Sequence, residues 1–310
     1  MTKVAVVGAG HIGKEHARVV AGAPGCVLHT VVDTNVERAR EVAERHGARW
    51  SAEAREVIGQ VDAAVVAVPT ESHLSTGRAL LESGIDCLME KPIAGTLSEA
   101  DILIEAAERS GRVLQVGHLE RFNPAVTAAL HLVREPRFIE IHRLGTFVKR
   151  SLDIDVVTDL MIHDIDIVLS MVRAMPREVR AVGVPILSRR IDICNARLEF
   201  DHCVANVTAS RVSKDKIRKV RVFQPDAYIS LDYQAQAGEV YRLVRQEQGP
   251  TISLSPLEVA RDEPLKVQFS AFLDSIATRR VETCTAIEAR RALDVALQIV
   301  ERARDRLRME

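Results

Sequence analysis

The chain has 310 residues, 47% of them apolar, which is enough for two domains with substantial cores. Forty-two basic side chains against 43 acidic ones leave no net field to hold nucleic acid or a membrane surface. No apolar stretch approaches the length of a membrane span.

The five cysteines (Cys26, Cys87, Cys194, Cys203, Cys284) form no CxxC pair and are odd in number, so reduced thiols and a cytoplasmic location are expected. The first apolar run is too short for a signal peptide and leads at once into His11, Lys14 and Glu15. That run, Lys3 to Val7, reads as a buried parallel strand and enters GAGHIG, with glycines at Gly8, Gly10 and Gly13. Gly8 permits a tight turn, Gly10 lets the backbone approach a pyrophosphate, and Gly13 lets helix and strand pack closely. The helix that follows, Ile12 to Val20, would offer its leading N–H groups to the phosphates, so His11 and Ile12 join the expected site. The next apolar run, CVLHTVV, ends at Asp33, 20 positions after Gly13. A carboxylate there accepts from the adenosine ribose hydroxyls and repels a 2′-phosphate, which favours NAD over NADP. Arg38 is nearby and is expected on the solvated face of the next helix.

Further strand-like runs at 62–68, 85–89 and 113–117 alternate with helical stretches, two of which stop at Gly84 and Gly111. Strands alternating with helices indicate a doubly wound parallel sheet, expected over residues 1–121. Residues 122–310 read as an α+β domain with an open, mostly antiparallel sheet of about six strands. It holds helices near 123–134 and 158–173 and two closing helices near 264–279 and 285–308, the last packing back onto the first domain.

Enzymes of this architecture place their chemistry at the carboxyl ends of the strands. Those ends carry Val68-Pro69-Thr70 with His73 just beyond, then Glu90-Lys91-Pro92, then His118. A cis peptide before Pro92 would aim Lys91. In the second half, Asp159, His163, Asp166 and Ser170 recur at steps of four, three and four along an otherwise apolar helix. Asp166 and Ser170 fit a solvated face, whereas Asp159 and His163 fit a catalytic pair. No third or fourth ligand stands at metal-site spacing, so no metal is expected.

GAGHIG, the Glu90-Lys91-Pro92 tripeptide and the Asp159-x-x-x-His163 step, in that order, resemble the Gfo/Idh/MocA oxidoreductases over essentially the whole chain. The resemblance implies a catalytic trio of Lys91, Asp159 and His163, and an assembly of two or four copies through the open sheet. GHLERFNPA (Gly117 to Ala125) and the stretch from His142 to Val168 resemble the branch that contains UDP-N-acetylglucosamine 3-dehydrogenases. That branch makes a 3-keto nucleotide sugar, which an aminotransferase converts to a 3-amino sugar for lipid A or other glycans. A diphosphate needs cations, and Arg121, Arg143, Lys149 and Arg150 are candidates, with His118 and Asn123 also expected at the substrate.

The expected reaction is NAD-dependent oxidation of a secondary sugar hydroxyl. An imidazole, with an ordinary pKa of about 6.5 against about 10.4 for an amine, makes His163 the better base and leaves Lys91 to polarise the oxygen. The two could exchange roles. Asp159 would orient the sugar or the histidine, and Glu90 would support Lys91 or the cofactor. The competing expectations are an inositol or free-sugar dehydrogenase of the same family and a non-catalytic dinucleotide sensor.

Overall fold

The computed structural model describes residues 1–147, 154–246 and 249–308. It divides into two compact units: Met1–Leu119 with Glu263–Arg290, and Glu120–Asp262 with Arg291–Glu310.

The first unit is built on six strands: β1 (Thr2–Val7), β2 (Cys26–Val32), β3 (Arg49–Ser51), β4 (Ala63–Val66), β5 (Asp86–Glu90) and β6 (Leu114–Gly117). All pair in parallel, in the order β3-β2-β1-β4-β5-β6. The order reverses between β1 and β4, and the crevice beyond the carboxyl ends of such strands is where ligands bind in open α/β sheets. Four helices connect them: α1 (His11–Gly22), α2 (Val36–Arg45), α3 (His73–Glu82) and α4 (Leu97–Ser110). Their ends follow local chemistry. Asn35 caps α2 by accepting from the Arg38 N–H, and Thr96 with Glu99 forms a capping box on α4, which ends at left-handed Gly111. Strand β3 has only three residues and is absent from the sequence-based expectation, being too short to show a period.

The second unit holds an eight-stranded sheet rather than one of about six strands. Its members are β7 (Phe138–Leu144), β8 (Glu178–Val184), β9 (Ile193–Glu199), β10 (Val204–Ser210), β11 (Ile217–Gln224), β12 (Ala227–Asp232), β13 (Ala237–Gln246) and β14 (Gly249–Pro256). The order is β14-β13-β12-β11-β7-β10-β9-β8, with only β7 and β10 running parallel. Strand β14 (GPTISLSP) went unrecognised in sequence because it carries two prolines and no buried residue. Inward residues such as Ile139, Ile141, Val207 and Val222 pack against α5 (Pro124–Leu130) and α6 (Ile162–Val172). The outward face carries a row of rings, Phe138, Phe223, Tyr228 and Tyr241, with neighbouring centroids 5.7, 4.6 and 5.1 Å apart.

The last two helices are divided between the units. Leu265, Phe269 and Phe272 of α7 (Pro264–Thr278) lie in the same core cluster as Val4, Val31 and Leu88, so this helix belongs to the first unit. The final helix, α8 (Ala286–Arg308), starts in the first unit and gives Ala292, Val295 and Ile299 to the core of the second. No described helix is long and apolar enough to cross a membrane.

Candidate active site

In the first unit, the turn after β1 explains its glycines from the protein's own atoms. Gly8 has φ +96°, and a β-carbon on it would sit 2.4 Å from the Ala67 carbonyl oxygen. A β-carbon on Gly13 would come within 1.8 Å of the Gly8 carbonyl oxygen, so this glycine allows helix and turn to touch. At Gly10 a β-carbon would meet nothing within 4 Å. Nothing among the described residues requires glycine there, and the open side suits a close-approaching pyrophosphate. No side chain caps α1, whose N-cap is Gly10, which leaves the leading N–H groups of His11, Ile12 and Gly13 able to hold phosphate oxygens.

Asp33 is already partly engaged. Its Oδ2 accepts from the Ala9 N–H at 2.8 Å and its Oδ1 from the Asn35 N–H at 2.8 Å, which fixes the carboxylate beside the glycine turn. A carboxylate has about four acceptor positions, so room remains for ribose hydroxyls. Arg38 is 42% exposed, as expected, but its guanidinium also lies 3.5 Å from Asp33.

Pro69 is exposed, and Thr70 opens a short turn into α3. His73, expected at the cofactor, has its ring engaged within the fold. It is 1% exposed, with Nε2 3.0 Å from the Val68 carbonyl oxygen and Nδ1 2.9 Å from that of Pro92. Burial pushes its imidazole pKa down, against the pull of those carbonyls. Glu90, at the end of β5, contacts His16 Nε2 at 2.7 Å. Burial acts to raise its carboxyl pKa, but His16, the charge of Lys91 and the Lys91 N–H together hold it below the ordinary value. Lys91 follows, half-buried, and its bond to Pro92 is cis. His118, just past β6, is buried, and its carbonyl accepts from Cys284. His16 was missed. Gly13, His16, Ala17 and Val20 form the buried stripe of α1, and a histidine on such a stripe is the signal that could have revealed it.

In the second unit, Asp159 and His163 stand where α6 begins. Val157–Met161 forms a π-helical turn, a distortion that recurs at functional sites, and α6 continues from Ile162. Asp159 lies on the π turn, His163 on the first turn of α6, and both are half-buried. Asp155 anchors the start of the turn, accepting from the Ile191 N–H at 2.9 Å and from Arg304 at 2.8 Å.

Beyond them the polar stripe is not a solvated face. Asp166 is 2% exposed and lies 3.4 Å from Arg121 Nη1, because α6 is packed on nearly all sides. Two more of the residues expected at the substrate, Arg143 and Asn123, are likewise engaged within the protein. Arg143 gives Nε and Nη2 to Asp164 at 2.7 and 2.9 Å and Nη1 to Glu120 at 2.9 Å, and its guanidinium lies 5.5 Å from the Tyr233 ring centroid. Asn123 caps α5 through the Ala125 N–H and donates to the Tyr233 carbonyl. Its carboxamide is thereby used inside the fold. Asp164 and Glu120, the partners of Arg143, were not legible in sequence, since neither stands out by spacing. Lys149 and Arg150 lie outside the described residues.

A parallel doubly wound sheet with a glycine-lined phosphate turn, a ribose-side acid and a lysine at a strand end defines an NAD-dependent oxidoreductase. The comparisons agree. Residues 2–118 match the model of the Gfo/Idh/MocA oxidoreductase family, NAD-binding Rossmann fold. The chain is 36% identical over 301 residues to UDP-N-acetylglucosamine 3-dehydrogenase of Acidithiobacillus ferrooxidans, covering 96% of each protein. A solved structure of that enzyme superposes with a TM-score of 0.91, at 34% identity and 97% coverage of both chains. The scyllo-inositol 2-dehydrogenase (NAD(+)) of Bacillus subtilis is 30% identical over 239 residues, 68% of each protein. A levoglucosan dehydrogenase in complex with NADH shares the fold, with a TM-score of 0.87 at 18% identity and coverage of 98% of this chain and 97% of that one. The chain belongs to the Gfo/Idh/MocA oxidoreductases.

Proposed function

We propose that this protein oxidises the C3 hydroxyl of UDP-N-acetylglucosamine to a ketone, with NAD as oxidant. The observation that carries this reading is the 36% identity to a UDP-N-acetylglucosamine 3-dehydrogenase, sustained over 96% of both chains. A ketone at that carbon is the substrate an aminotransferase needs, so the product feeds 3-amino sugar synthesis for lipid A or another surface glycan, in the cytoplasm.

The turn at Gly8, Gly10 and Gly13, the start of α1 and Asp33 would hold the dinucleotide, and Pro69, Thr70, Glu90, Lys91 and His118 stand at the neighbouring strand ends. When bound, the nicotinamide supplies the hydride acceptor. The chain's own task is the hydroxyl proton and the charge left on oxygen. His163 takes the proton, Lys91 holds the developing negative charge, and Asp159 orients the sugar or the imidazole. Arg143 is committed to Asp164 and Glu120 and Arg121 already faces Asp166, so the diphosphate falls first to Lys149 and Arg150. The outward rings of the second sheet, next to Ile252 and Leu254 (74% and 57% exposed), fit the face that pairs two or four copies.

The test is NADH formation from UDP-N-acetylglucosamine, followed by ultraviolet absorbance, with an aminotransferase or carbonyl trap to draw off the ketone. Turnover that vanishes with free N-acetylglucosamine is the expected result. Turnover of inositols but not of the UDP-sugar would establish the free-polyol reading, for which the Bacillus subtilis relative speaks. Binding of NAD with no turnover of any polyol would leave a sensor.

A further inference from the structure

The segment Glu90-Lys91-Pro92 is held on both sides of Lys91 by histidines from distant parts of the first unit. On the Glu90 side, His16 lies on α1, 74 residues away in sequence, and is fully buried. Its Nε2 meets Glu90 Oε1 at 2.7 Å, and its Nδ1 has no partner among the described residues. Burying an imidazole costs free energy that an apolar side chain at the same place would not incur. Among the described residues, the one polar bond the ring makes goes to Glu90.

The Glu90 carboxylate is built in from two further directions. The neighbouring Lys91 adds to the hold: its charge and its backbone N–H help keep the Glu90 carboxyl below its ordinary pKa. The carboxylate also lies flat on β6, where a β-carbon on Gly117 would stand 3.0 Å from Oε1 and 3.1 Å from the carboxyl carbon. On the far side, the buried His73 ring spans from the Val68 carbonyl oxygen at 3.0 Å to that of Pro92 at 2.9 Å. Whichever nitrogen carries the proton, the ring donates either to the end of β4 or to the residue that follows Lys91.

We propose that His16 and His73 are positioning residues for Lys91: His16 fixes the Glu90 carboxylate next to Lys91, and the buried His73 ring wedges between the Val68 and Pro92 carbonyls, donating to one of them. The inference rests on the reading of Lys91 as the group that acts on the substrate oxygen. A fixed backbone matters there because a displacement of about 1 Å at a reacting group can cost about 10²-fold in rate.

Glutamine at position 16 places its amide N–H near where His16 Nε2 lies, whereas asparagine is polar but too short to reach Glu90. The full-length enzyme with NAD is therefore compared with His16→Leu, His16→Asn, His16→Gln, His73→Leu and Lys91→Ala. Turnover of UDP-N-acetylglucosamine is measured with hydrogen and with deuterium at C3. Expected for His16→Leu and His16→Asn is a fall in kcat of about 30-fold with a larger isotope effect, while NAD affinity and KM stay within about threefold. His16→Gln should recover to within about threefold of wild type, and His73→Leu should fall about tenfold. Loss of folded protein would lower kcat but leave the isotope effect unchanged.

A second readout needs no substrate: the NMR signal of reductively ¹³C-methylated Lys91, assigned by its loss in Lys91→Arg, should move in His16→Asn and stay in place in His16→Gln. If His16→Leu does not fold, the asparagine and glutamine variants decide. Equal rates and equal Lys91 signals in those two variants, beside an inactive Lys91→Ala, would overturn the positioning role alone. An active Lys91→Ala would instead overturn the reading of Lys91 on which it rests.

Discussion

Every residue of β4 from Ala63 to Val66 is buried, whereas exposed and buried residues alternate along the whole of β8. The first sheet is covered on both faces, so its chemistry is confined to the strand ends, where Gly8, Glu90, Lys91 and His118 collect. The second sheet is covered on one face. Its outer face carries the row of rings, and the residues proposed for catalysis, Asp159 and His163, sit on a helix and the π turn before it rather than at strand ends. One unit is specified by apolar runs and glycines, and the other by alternating strands whose covering helix also carries buried ion pairs.

That contrast can be tested at graded strength. The largest effect is expected at the groups proposed for catalysis: Lys91→Ala should lower kcat by about 10³-fold and His163→Ala by about 10²-fold or more, each keeping NAD affinity within about threefold by calorimetry. Full activity in both variants would sink the mechanism. Next, Arg143→Met leaves the buried Asp164 without its hydrogen-bonded cation, Glu120 keeping only Arg218 at 3.6 Å, and should destabilise the second unit by about 3–5 kcal/mol in denaturant. Adding Asp164→Leu should recover much of that loss.

The first unit should respond through its backbone instead. Gly13→Val drives a β-carbon into the Gly8 carbonyl and should cost about 3 kcal/mol, with loss of NAD binding. Gly10→Ala, which meets no protein atom, should melt like wild type yet bind NAD about tenfold more weakly, the sharper test of a phosphate at that turn. Smallest in stability is Tyr228→Glu on the outer ring row: light scattering should show smaller particles while NAD affinity is unchanged.

The sequence made the first unit legible because each of its devices is local. A glycine pattern, an acid 20 residues on and apolar runs of strand length all fall within one short window. The alternation of β7 to β10 was legible for the same reason. What escaped notice depends on long-range geometry or on weak local signal. Strand β3 is three residues long, and β14 has proline at two positions with nothing buried. The pairing of Arg143 with Asp164 joins a strand to a helix, and the pairing of His16 with Glu90 joins α1 to β5, so neither has a spacing to read. Polar residues on α6 showed that something must neutralise them, but not whether solvent, substrate or arginine does so. For Asp166 it is Arg121.

Helix α7 has a consequence for how the protein is made. The first 119 residues leave the ribosome long before Leu265, Phe269 and Phe272, which complete their core only after residues 120–262 have been synthesised. Domains ordinarily fold from the amino terminus as they emerge. Here the nucleotide-binding unit must wait for almost the whole chain, with an uncovered apolar surface for chaperones to guard. A fragment cut after Leu119 would keep that surface exposed for good, so a soluble cofactor-binding fragment would have to graft residues 263–290 back on.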